Sequence, residues 1–276
     1  MSRHLFDHLG DVGPRLRAAQ SLALFLDFDG TLVPFRNDPD RARLPPSLRR
    51  ILQELSADEN RTVAVISGRE RADLQARVGL PGLIYAGNHG LEISGPGFIF
   101  IEPTAIGYRE SLQKLASTLA PRLANTEGAW VEDKGLTLSV HWRQTPAERV
   151  EEVRRIVHGS LENMSHPFLL TSGDKVYDIR PRVYWHKGSA VQWIRERLGK
   201  QNALTLYFGD DATDEDAFAA LPDGITVKVG EPAETAAVYY VRDPTEVEQF
   251  LEWLANNVRE TITPDRSKNA EEESSL

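Results

Sequence analysis

The fold of this chain is decided by the stretch Leu22-Ala23-Leu24-Phe25-Leu26-Asp27-Phe28-Asp29-Gly30-Thr31-Leu32. Its first half is a short continuous apolar run, which is typical of a central strand in a parallel sheet, buried on both faces. In open α/β sheets the reactive groups lie just beyond the carboxyl ends of such strands. The carboxylates of Asp27 and Asp29 occupy that position, so the stretch predicts both a strand and a site of chemistry.

The two carboxylates also predict a partner of opposite charge. Carboxylates that lie close together repel each other, which raises the pKa of one of them unless a cation neutralises the pair. A hard divalent ion with oxygen ligands, most simply Mg²⁺, is the natural partner. Taken alone, the stretch also fits two acids that merely cap the junction between strand and turn. The rest of the chain has to decide between these interpretations.

Apolar strands alternate with helical patterns along most of the chain. A helix is predicted at 45–55, where Pro and Ser suit the first helical positions. Strand, helix and strand follow in order, and the same rhythm returns after residue 187. This alternation predicts a doubly wound α/β fold with a parallel, Rossmann-like sheet. The other predicted strands of this part are 62–68, 83–86, 205–209 and 225–229, and its later helices are 187–198, 214–221 and 244–257.

The rhythm changes in the middle of the chain. A helix at 106–119 precedes two strand-like runs joined by a turn at Lys134-Gly135, and a helix at 146–158 precedes two further strands. This pattern predicts an inserted, smaller α+β domain. Its predicted bounds are 103–178; the α/β core is then 1–102 and 179–260, and the polar, charged residues 264–276 are predicted to be a disordered tail.

Composition excludes several classes of function. The 276 residues, 41% apolar and 26% charged, are those of an ordinary globular protein, and the net charge of −9 disfavours nucleic-acid binding. The absence of cysteine excludes disulfides and Cys-ligated zinc. No apolar run is long enough to span a bilayer, and the first residues lack the layout of a signal peptide. We therefore expect a cytoplasmic protein that makes no contact with membranes.

Three other predicted strand ends carry groups suited to binding phosphate. Ser67 and Gly68 stand at a strand-to-helix junction, where a hydroxyl and a backbone N–H can hold a phosphate oxygen, although such a Ser is most often a helix cap. Lys187 opens a helix, where its charge opposes the helix dipole unless it points into an anionic site; a solvated surface lysine is the alternative. Asp210 follows a buried strand, as Asp27 does. Together these residues predict one site at the carboxyl edge of the sheet.

This set of strand ends resembles the haloacid dehalogenase superfamily of phosphatases that use an aspartate nucleophile. The Asp-x-Asp-Gly-Thr signature and the Gly-Asp-Asp-x-x-Asp sequence that begins at Gly209 carry the resemblance, which covers nearly the whole chain. It implies that Asp27 attacks phosphorus to form an aspartyl-phosphate and that Asp29 transfers protons. The implied Mg²⁺ ligands are Asp27, the backbone carbonyl of Asp29, and Asp210, with Asp211 and Asp214 around them. The implied phosphate ligands are Ser67, Gly68 and Lys187.

Motifs in and around the inserted domain resemble trehalose-6-phosphate phosphatases, which carry a larger cap domain at this place in the chain. These motifs are Gly87-Asn88-His89-Gly90-Leu91-Glu92, Glu132-Asp133-Lys134-Gly135, His141-Trp142-Arg143 and Ile179-Arg180-Pro181. The resemblance implies that Glu132, Lys134 and Arg143 hydrogen-bond sugar hydroxyls. It assigns Asp178 to substrate contact as well, although the family commonly has the longer Glu there. A cross-strand ion pair on a solvated surface is the alternative for Glu132 and Lys134.

The resemblance therefore implies Mg²⁺-dependent hydrolysis of trehalose 6-phosphate, the last step of trehalose biosynthesis. Three alternatives stay open: a related phosphatase for sucrose phosphate, mannosyl phosphoglycerate or hexose phosphates; a catalytically inactive sugar-phosphate sensor; and a phosphomutase. We expect a monomer whose substrate comes from a synthase on another polypeptide, because the chain is too short to carry a glycosyltransferase domain as well. The motifs leave the roles of Arg69 and His89 open.

Overall fold

Two sheets with helices packed on them make up the structure. The computed structural model describes residues 2–35, 42–162, 164, 167–173, 175–231 and 234–258. Within these ranges thirteen strands form the two sheets. The tail predicted to be disordered, 264–276, lies outside the described residues.

The described elements are numbered here in chain order. The strands are β1 (Arg3–His4), β2 (Leu22–Asp27), β3 (Arg61–Ile66), β4 (Ile84–Gly87), β5 (Glu92–Gly95), β6 (Phe98–Ile101), β7 (Trp130–Asp133), β8 (Leu138–His141), β9 (Phe168–Gly173), β10 (Val176–Pro181), β11 (Leu204–Gly209), β12 (Ile225–Val229) and β13 (Tyr239–Val241). The α-helices are α1 (Leu9–Ala18), α2 (Pro46–Ser56), α3 (Arg71–Val78), α4 (Pro103–Ile106), α5 (Arg109–Leu123), α6 (Val150–Leu161), α7 (Lys187–Arg197), α8 (Glu215–Ala219) and α9 (Pro244–Val258).

The larger sheet has the strand order β1-β13-β12-β11-β2-β3-β4-β5-β6. Neighbouring strands from β1 through β4 in this order are parallel, which confirms the predicted doubly wound α/β fold. The strand order reverses between β2 and β11. On one side of this point the chain adds strands outward from β2 to β4, and on the other side it adds them outward from β11 to β13. Such a reversal opens a crevice at the carboxyl ends of the two central strands, where ligands bind in α/β proteins.

Strand β2 is apolar on both sides because helices cover both faces of the sheet. Its side chains alternate between the faces: Leu22, Leu24 and Leu26 pack in one cluster with residues of α1, α2, α3 and α9. Ala23 and Phe25 pack in the other cluster with residues of α7 and α8. A strand buried in this way reads as a continuous apolar run, as the sequence predicted.

The far edge of the larger sheet holds a hairpin that the sequence analysis missed. Strands β5 and β6 pair antiparallel to each other, and β5 pairs antiparallel to β4. Each has four residues. The hairpin is held by aromatic contacts from a distant part of the chain: the ring of Phe100 stacks on Trp193 with 4.4 Å between centroids. These contacts are long-range, but the turn at Gly95-Pro96-Gly97, with Gly97 at a φ of 78°, was a local signal for the hairpin.

The smaller sheet is antiparallel, with the order β7-β8-β10-β9. Helices α5 and α6 cover one face, and α5 contributes apolar residues at the three- and four-residue spacing of one helix face. The buried members of this cluster are Leu112, Leu115, Leu119, Leu123, Leu138, Val140, Val153, Val157 and Ile179. The turn predicted at Lys134-Gly135 does join β7 to β8, with Gly135 at a φ of 75°.

Two predicted boundaries differ from the structure. The helix predicted at 106–119 is divided: α4 ends at Ile106 and α5 begins at Arg109. The domain boundary predicted between 178 and 179 falls inside β10, which pairs within the smaller sheet as far as Pro181. The pairing of β10 with β9 carries the strand to the end of the Ile179-Arg180-Pro181 motif, at the start of which the sequence pattern had placed the change of domain.

We expect Leu115→Ala to lower the free energy of unfolding by about 2–5 kcal/mol, because truncation of a buried leucine leaves a cavity. Leu115 is fully buried between α5 and the smaller sheet. Urea denaturation followed by circular dichroism measures the change. Ile99→Ala is the matched control, since Ile99 is 73% exposed on β6, and its effect should stay below about 0.5 kcal/mol. Equal effects of the two substitutions would contradict the packing of α5.

Candidate active site

A cavity of about 470 Å³ lies between the carboxyl edge of the larger sheet and one face of the smaller sheet. It brings together the site residues that the sequence predicted, with Asp214 directly beneath its wall. The lining includes Asp27, Asp29, Ser67, Gly68, Lys187, Asp210 and Asp211 from the larger sheet, and Glu132, Lys134, Arg143 and Asp178 from the smaller one. The cavity therefore has one wall suited to a phosphate and another suited to hydroxyl groups.

Lys187 is buried between two carboxylates at the floor of the cavity. Its Nζ donates to Asp27 Oδ1 at 2.7 Å and to Asp214 Oδ1 at 2.7 Å. Burial acts to lower the pKa of this ammonium, but the charges of Asp214 and Asp27 outweigh it and raise the pKa of Lys187 well above its ordinary value. Lys187 thus points inward as a fixed cation, although it opens α7.

Asp214 organises the loop that follows β11. Besides Lys187, its Oδ1 accepts a hydrogen bond from Tyr207 Oη at 2.7 Å, and its Oδ2 accepts from the backbone N–H groups of Asp210 and Asp211, each at 3.1 Å. Both carboxylate oxygens therefore have two donors. With its lone pairs in use, Asp214 is suited to holding the loop in place beneath the cavity.

Two glycines allow the acidic loops to approach each other. Gly30 has a φ of 85°, and a Cβ atom there would lie 2.3 Å from Asp210 Oδ2. At Gly209 a Cβ atom would lie 2.2 Å from Asp214 Cγ. Any side chain at either position would push the β2 or β11 loop away, which explains glycine beside these acids.

The acids at the floor of the cavity fit a divalent cation. Asp27, Asp210 and Asp214 offer carboxylate oxygens that all lie within 4.8 Å of one another. Burial, together with neighbouring carboxylates, raises the pKa of Asp27 well above its ordinary value and that of Asp210 to about 7. Burial and the neighbouring carboxylates both disfavour ionisation of these acids, and a bound cation would favour it. Since the oxygens of Asp214 are already occupied, Asp27 and Asp210 are the carboxylates suited to a hard ion such as Mg²⁺.

Arg69 holds the carboxylate of Asp29, a contact that sequence reasoning missed. Its Nε donates to Asp29 Oδ2 at 2.6 Å and its Nη2 to Oδ1 at 2.8 Å, which is a bidentate pair. Arg69 also donates to Asp73 at 3.1 Å, and Asp73 accepts from Arg77 at 2.6 Å. The four-residue spacing of Arg69, Asp73 and Arg77 was a sequence signal for the ion pairs among these three side chains. Asp29 is accordingly fixed toward Arg69, outside the cluster of the other acids.

The loop after β3 joins the two walls of the cavity. Ser67 Oγ accepts from the backbone N–H of Arg69 at 3.2 Å, so the hydroxyl stabilises the turn as well as lining the cavity. The carbonyl of Gly68 accepts from Lys134 Nζ at 3.1 Å. A Cβ atom at Gly68 would lie 2.8 Å from the ring of His89. Burial lowers the pKa of His89 to about 3, so this ring is neutral, and its Nδ1 has no hydrogen-bond partner among the described residues.

The predicted sugar-binding residues lie close together on the smaller sheet. Glu132 Oε2 is 2.8 Å from His141 Nε2, and Asp178 accepts from Ser139 Oγ. Lys134 Nζ lies 3.9 Å from Glu132 and 3.8 Å from Asp178. Burial acts to raise the pKa values of both carboxyl groups, but these partners lower them below their ordinary values. The side chain of Lys134 is 10% exposed and that of Glu132 is 38% exposed, so the ammonium is largely buried while the carboxylate still meets solvent.

Comparison with known proteins identifies the family. A family model described as trehalose-phosphatase matches residues 25–250. The chain belongs to the trehalose-phosphatase family. A trehalose-phosphate phosphatase of Mycobacterium tuberculosis is 38% identical over 252 residues, an alignment that covers 88% of this chain and 63% of that protein. A trehalose 6-phosphate phosphatase of Zea mays is 36% identical over 271 residues, covering 90% and 74%. The chain thus spans about 63% of the length of the mycobacterial family member.

Solved structures of family members share the fold. The C-terminal domain of a Candida albicans trehalose-6-phosphate phosphatase superposes with a TM-score of 0.77 at 22% identity, covering 93% of this chain and 98% of that one. An Aspergillus fumigatus trehalose-6-phosphate phosphatase gives a TM-score of 0.64 at 26% identity, covering 93% and 99%. In the part of the chain that the structure describes, no helix is both long and apolar enough to cross a bilayer.

We expect Tyr207→Phe to lower the free energy of unfolding by about 1.5–3 kcal/mol, because the lost hydroxyl donates to a buried carboxylate. Chemical denaturation measures the change. The control is Tyr184→Phe, since Tyr184 is 99% exposed, and it should change stability by less than about 0.5 kcal/mol. If both variants were as stable as the wild type, the account of Asp214 as a fully hydrogen-bonded group would fail.

Proposed function

We propose that this chain hydrolyses trehalose 6-phosphate to trehalose and inorganic phosphate. The proposal rests on one observation: the two walls of this cavity carry different kinds of side chain. One wall offers Asp27, Lys187 and Asp210, which suit a phosphate and a cation, and the other offers Glu132 and Lys134, which suit sugar hydroxyls. Family membership and the names of the relatives support the same substrate.

In the proposed reaction Asp27 is the nucleophile. Lys187 holds Oδ1 of Asp27, which fixes the orientation of the carboxylate for in-line attack by its other oxygen. The attack forms an aspartyl-phosphate and breaks the bond between phosphorus and the sugar oxygen; water then hydrolyses the aspartyl-phosphate. Two easier steps replace one difficult one. The hydroxyl of Ser67, the N–H of Gly68 and the ammonium of Lys187 hold the remaining phosphoryl oxygens.

Asp29 is the proposed proton carrier. It protonates the departing sugar oxygen in the first step and takes the proton of the attacking water in the second. Arg69 binds both oxygens of its carboxylate, which holds the side chain at the edge of the cavity. For the first step the protonated Asp29 turns from Arg69 toward the leaving oxygen.

The proposed cofactor is Mg²⁺. Asp27 and Asp210 with their side chains and Asp29 with its backbone carbonyl would hold it, and Asp211 and Asp214 would support that shell. When bound, the ion supplies positive charge against the phosphoryl oxygens.

We also propose that the smaller sheet and its helices act as a cap on the α/β core. Glu132, Lys134, Arg143 and Asp178 would bind the sugar, so the residues that recognise it lie on a different part of the chain from those that cleave it. Lys134 already reaches across to the Gly68 carbonyl. Closing the cap on the substrate would exclude bulk water before the aspartyl-phosphate forms.

A phosphate-release panel tests the substrate. With Mg²⁺ present we expect kcat/KM for trehalose 6-phosphate to exceed that for sucrose 6-phosphate, mannosyl phosphoglycerate and glucose 6-phosphate by at least about 100-fold, because unpaired polar groups penalise a poorly fitting sugar. A chelator should abolish release and added Mg²⁺ should restore it. Comparable rates for all of these phosphates would overturn the specific claim. Binding of trehalose 6-phosphate without release would indicate a sensor.

Two substitutions separate chemistry from recognition. We expect Asp27→Asn to lower kcat by at least about three orders of magnitude, because the nucleophile is lost. Glu132→Ala should instead raise KM for trehalose 6-phosphate by about tenfold or more, through the loss of charged hydrogen bonds. Glu148→Ala, at an exposed acid of the same part of the chain, is the control and should match the wild type. If Glu132→Ala leaves KM and kcat for trehalose 6-phosphate unchanged while Asp27→Asn abolishes turnover, the proposed role of Glu132 in sugar binding is wrong and the proposed role of Asp27 stands.

A further inference from the structure

The face of the smaller sheet that lines the cavity carries two rows of side chains. In the inner row, the register places Glu132 of β7 beside Ser139 of β8, which lies beside Asp178 of β10. The outer row lies two residues farther along each strand and consists of Trp130, His141 and Val176. Because side chains two residues apart on a strand project to the same face, both rows face the cavity, opposite the face covered by α5 and α6. All six residues line it.

The inner row lies nearer to the larger sheet than the outer row does, because the end of β7 at Lys134 contacts the larger sheet. Lys134, at the end of β7, donates through Nζ to the Gly68 carbonyl, and its own carbonyl accepts from Asn88 Nδ2 at 3.0 Å. This end of the smaller sheet is therefore docked on the larger one. The row of Glu132 comes next, and the row of Trp130 lies about 7 Å farther out, two residues along each strand.

Two of the three side chains in the outer row are aromatic, and they contact each other. The rings of Trp130 and His141 are stacked, with centroids 4.2 Å apart and planes inclined by 19°. His141 is also hydrogen-bonded to Glu132, so the same ring orients the inner row. Trp130 remains 49% exposed although it lines the cavity. A single exposed apolar side chain on a surface needs no explanation, but here the indole ring is stacked on a neighbouring ring at the wall of a cavity.

We propose that Trp130 and His141 form the subsite for the second, unphosphorylated ring of a disaccharide phosphate. A pyranose has hydroxyls around its rim and C–H groups on its faces. The inner row would take the hydroxyls of the ring nearer the phosphate, and the indole would pack against the C–H face of the farther ring. The subsite would thus separate disaccharide phosphates from monosaccharide phosphates. This inference rests on the proposed function, because it assigns the far end of the same substrate.

Steady-state kinetics of three variants test the subsite. We expect Trp130→Ala to raise KM for trehalose 6-phosphate about tenfold with a much smaller change in kcat, because the aromatic face contributes binding far from the phosphorus. Trp130→Tyr, which keeps an aromatic face, should recover most of the loss. Ile99→Ala removes an exposed apolar side chain outside the cavity and should match the wild type. Wild-type KM in Trp130→Ala, or no recovery in Trp130→Tyr, would overturn the subsite while leaving the proposed function intact.

A binding measurement keeps the test independent of turnover. Neutral trehalose and glucose are titrated into the wild type and into Trp130→Phe, and intrinsic tryptophan fluorescence is followed. Trehalose should change the wild-type emission at much lower concentration than glucose does, and Trp130→Phe should lose that response. If the wild type fails to release phosphate from trehalose 6-phosphate but shows this response, the proposed function fails and the subsite stands. If trehalose gives no response, or the same response in both proteins, the subsite is refuted.

Discussion

The buried ammonium of Lys187 between Asp27 and Asp214 is the interaction on which the site depends. It joins the start of α7, the end of β2 and the loop after β11, three segments that are remote in sequence. A buried charge is costly unless it is paired, and removal of one partner leaves the remaining charges buried without compensation. Here the ammonium and the two carboxylates compensate one another, and Tyr207 completes the hydrogen bonding of Asp214. The same contacts that hold the strands together therefore hold the acids at the point where the strand order reverses.

Parts of this arrangement could be predicted from the sequence because they follow from position along the chain. An apolar run ending in an acid specifies both a central strand and a group at its carboxyl end, which is why Asp27 and Asp210 were found from local patterns. Lys187 was found through a local conflict, a cation at the positive end of a helix. These signals lie within a few residues of the groups that they identify.

The rest could not be predicted, because it depends on contacts between remote segments. Arg69 owes its place to Asp29, which lies 40 residues earlier. The β5–β6 hairpin is held by Trp193, far along the chain. Trp130 read as an ordinary strand residue, and only the register of β7 with β8 places it on His141 and in the cavity. For Arg69 and Trp130 the missing information was the pairing partner, which no single stretch of sequence contains, whereas the turn of the hairpin at Gly95-Pro96-Gly97 was a local signal.

The bond from Lys134 to the Gly68 carbonyl has a consequence for the energetics of ligand entry. An ammonium has three N–H donors, and one of those of Lys134 is satisfied by the backbone carbonyl of Gly68. A ligand hydroxyl can replace that carbonyl, or take one of the other donors, as one hydrogen bond is exchanged for another. Binding of a ligand hydroxyl at Lys134 Nζ would then alter the identity of the acceptor more than the number of bonds, while the bond from Asn88 Nδ2 to the Lys134 carbonyl is not exchanged. At this contact between the two sheets, shape and desolvation would therefore decide which ligand is bound.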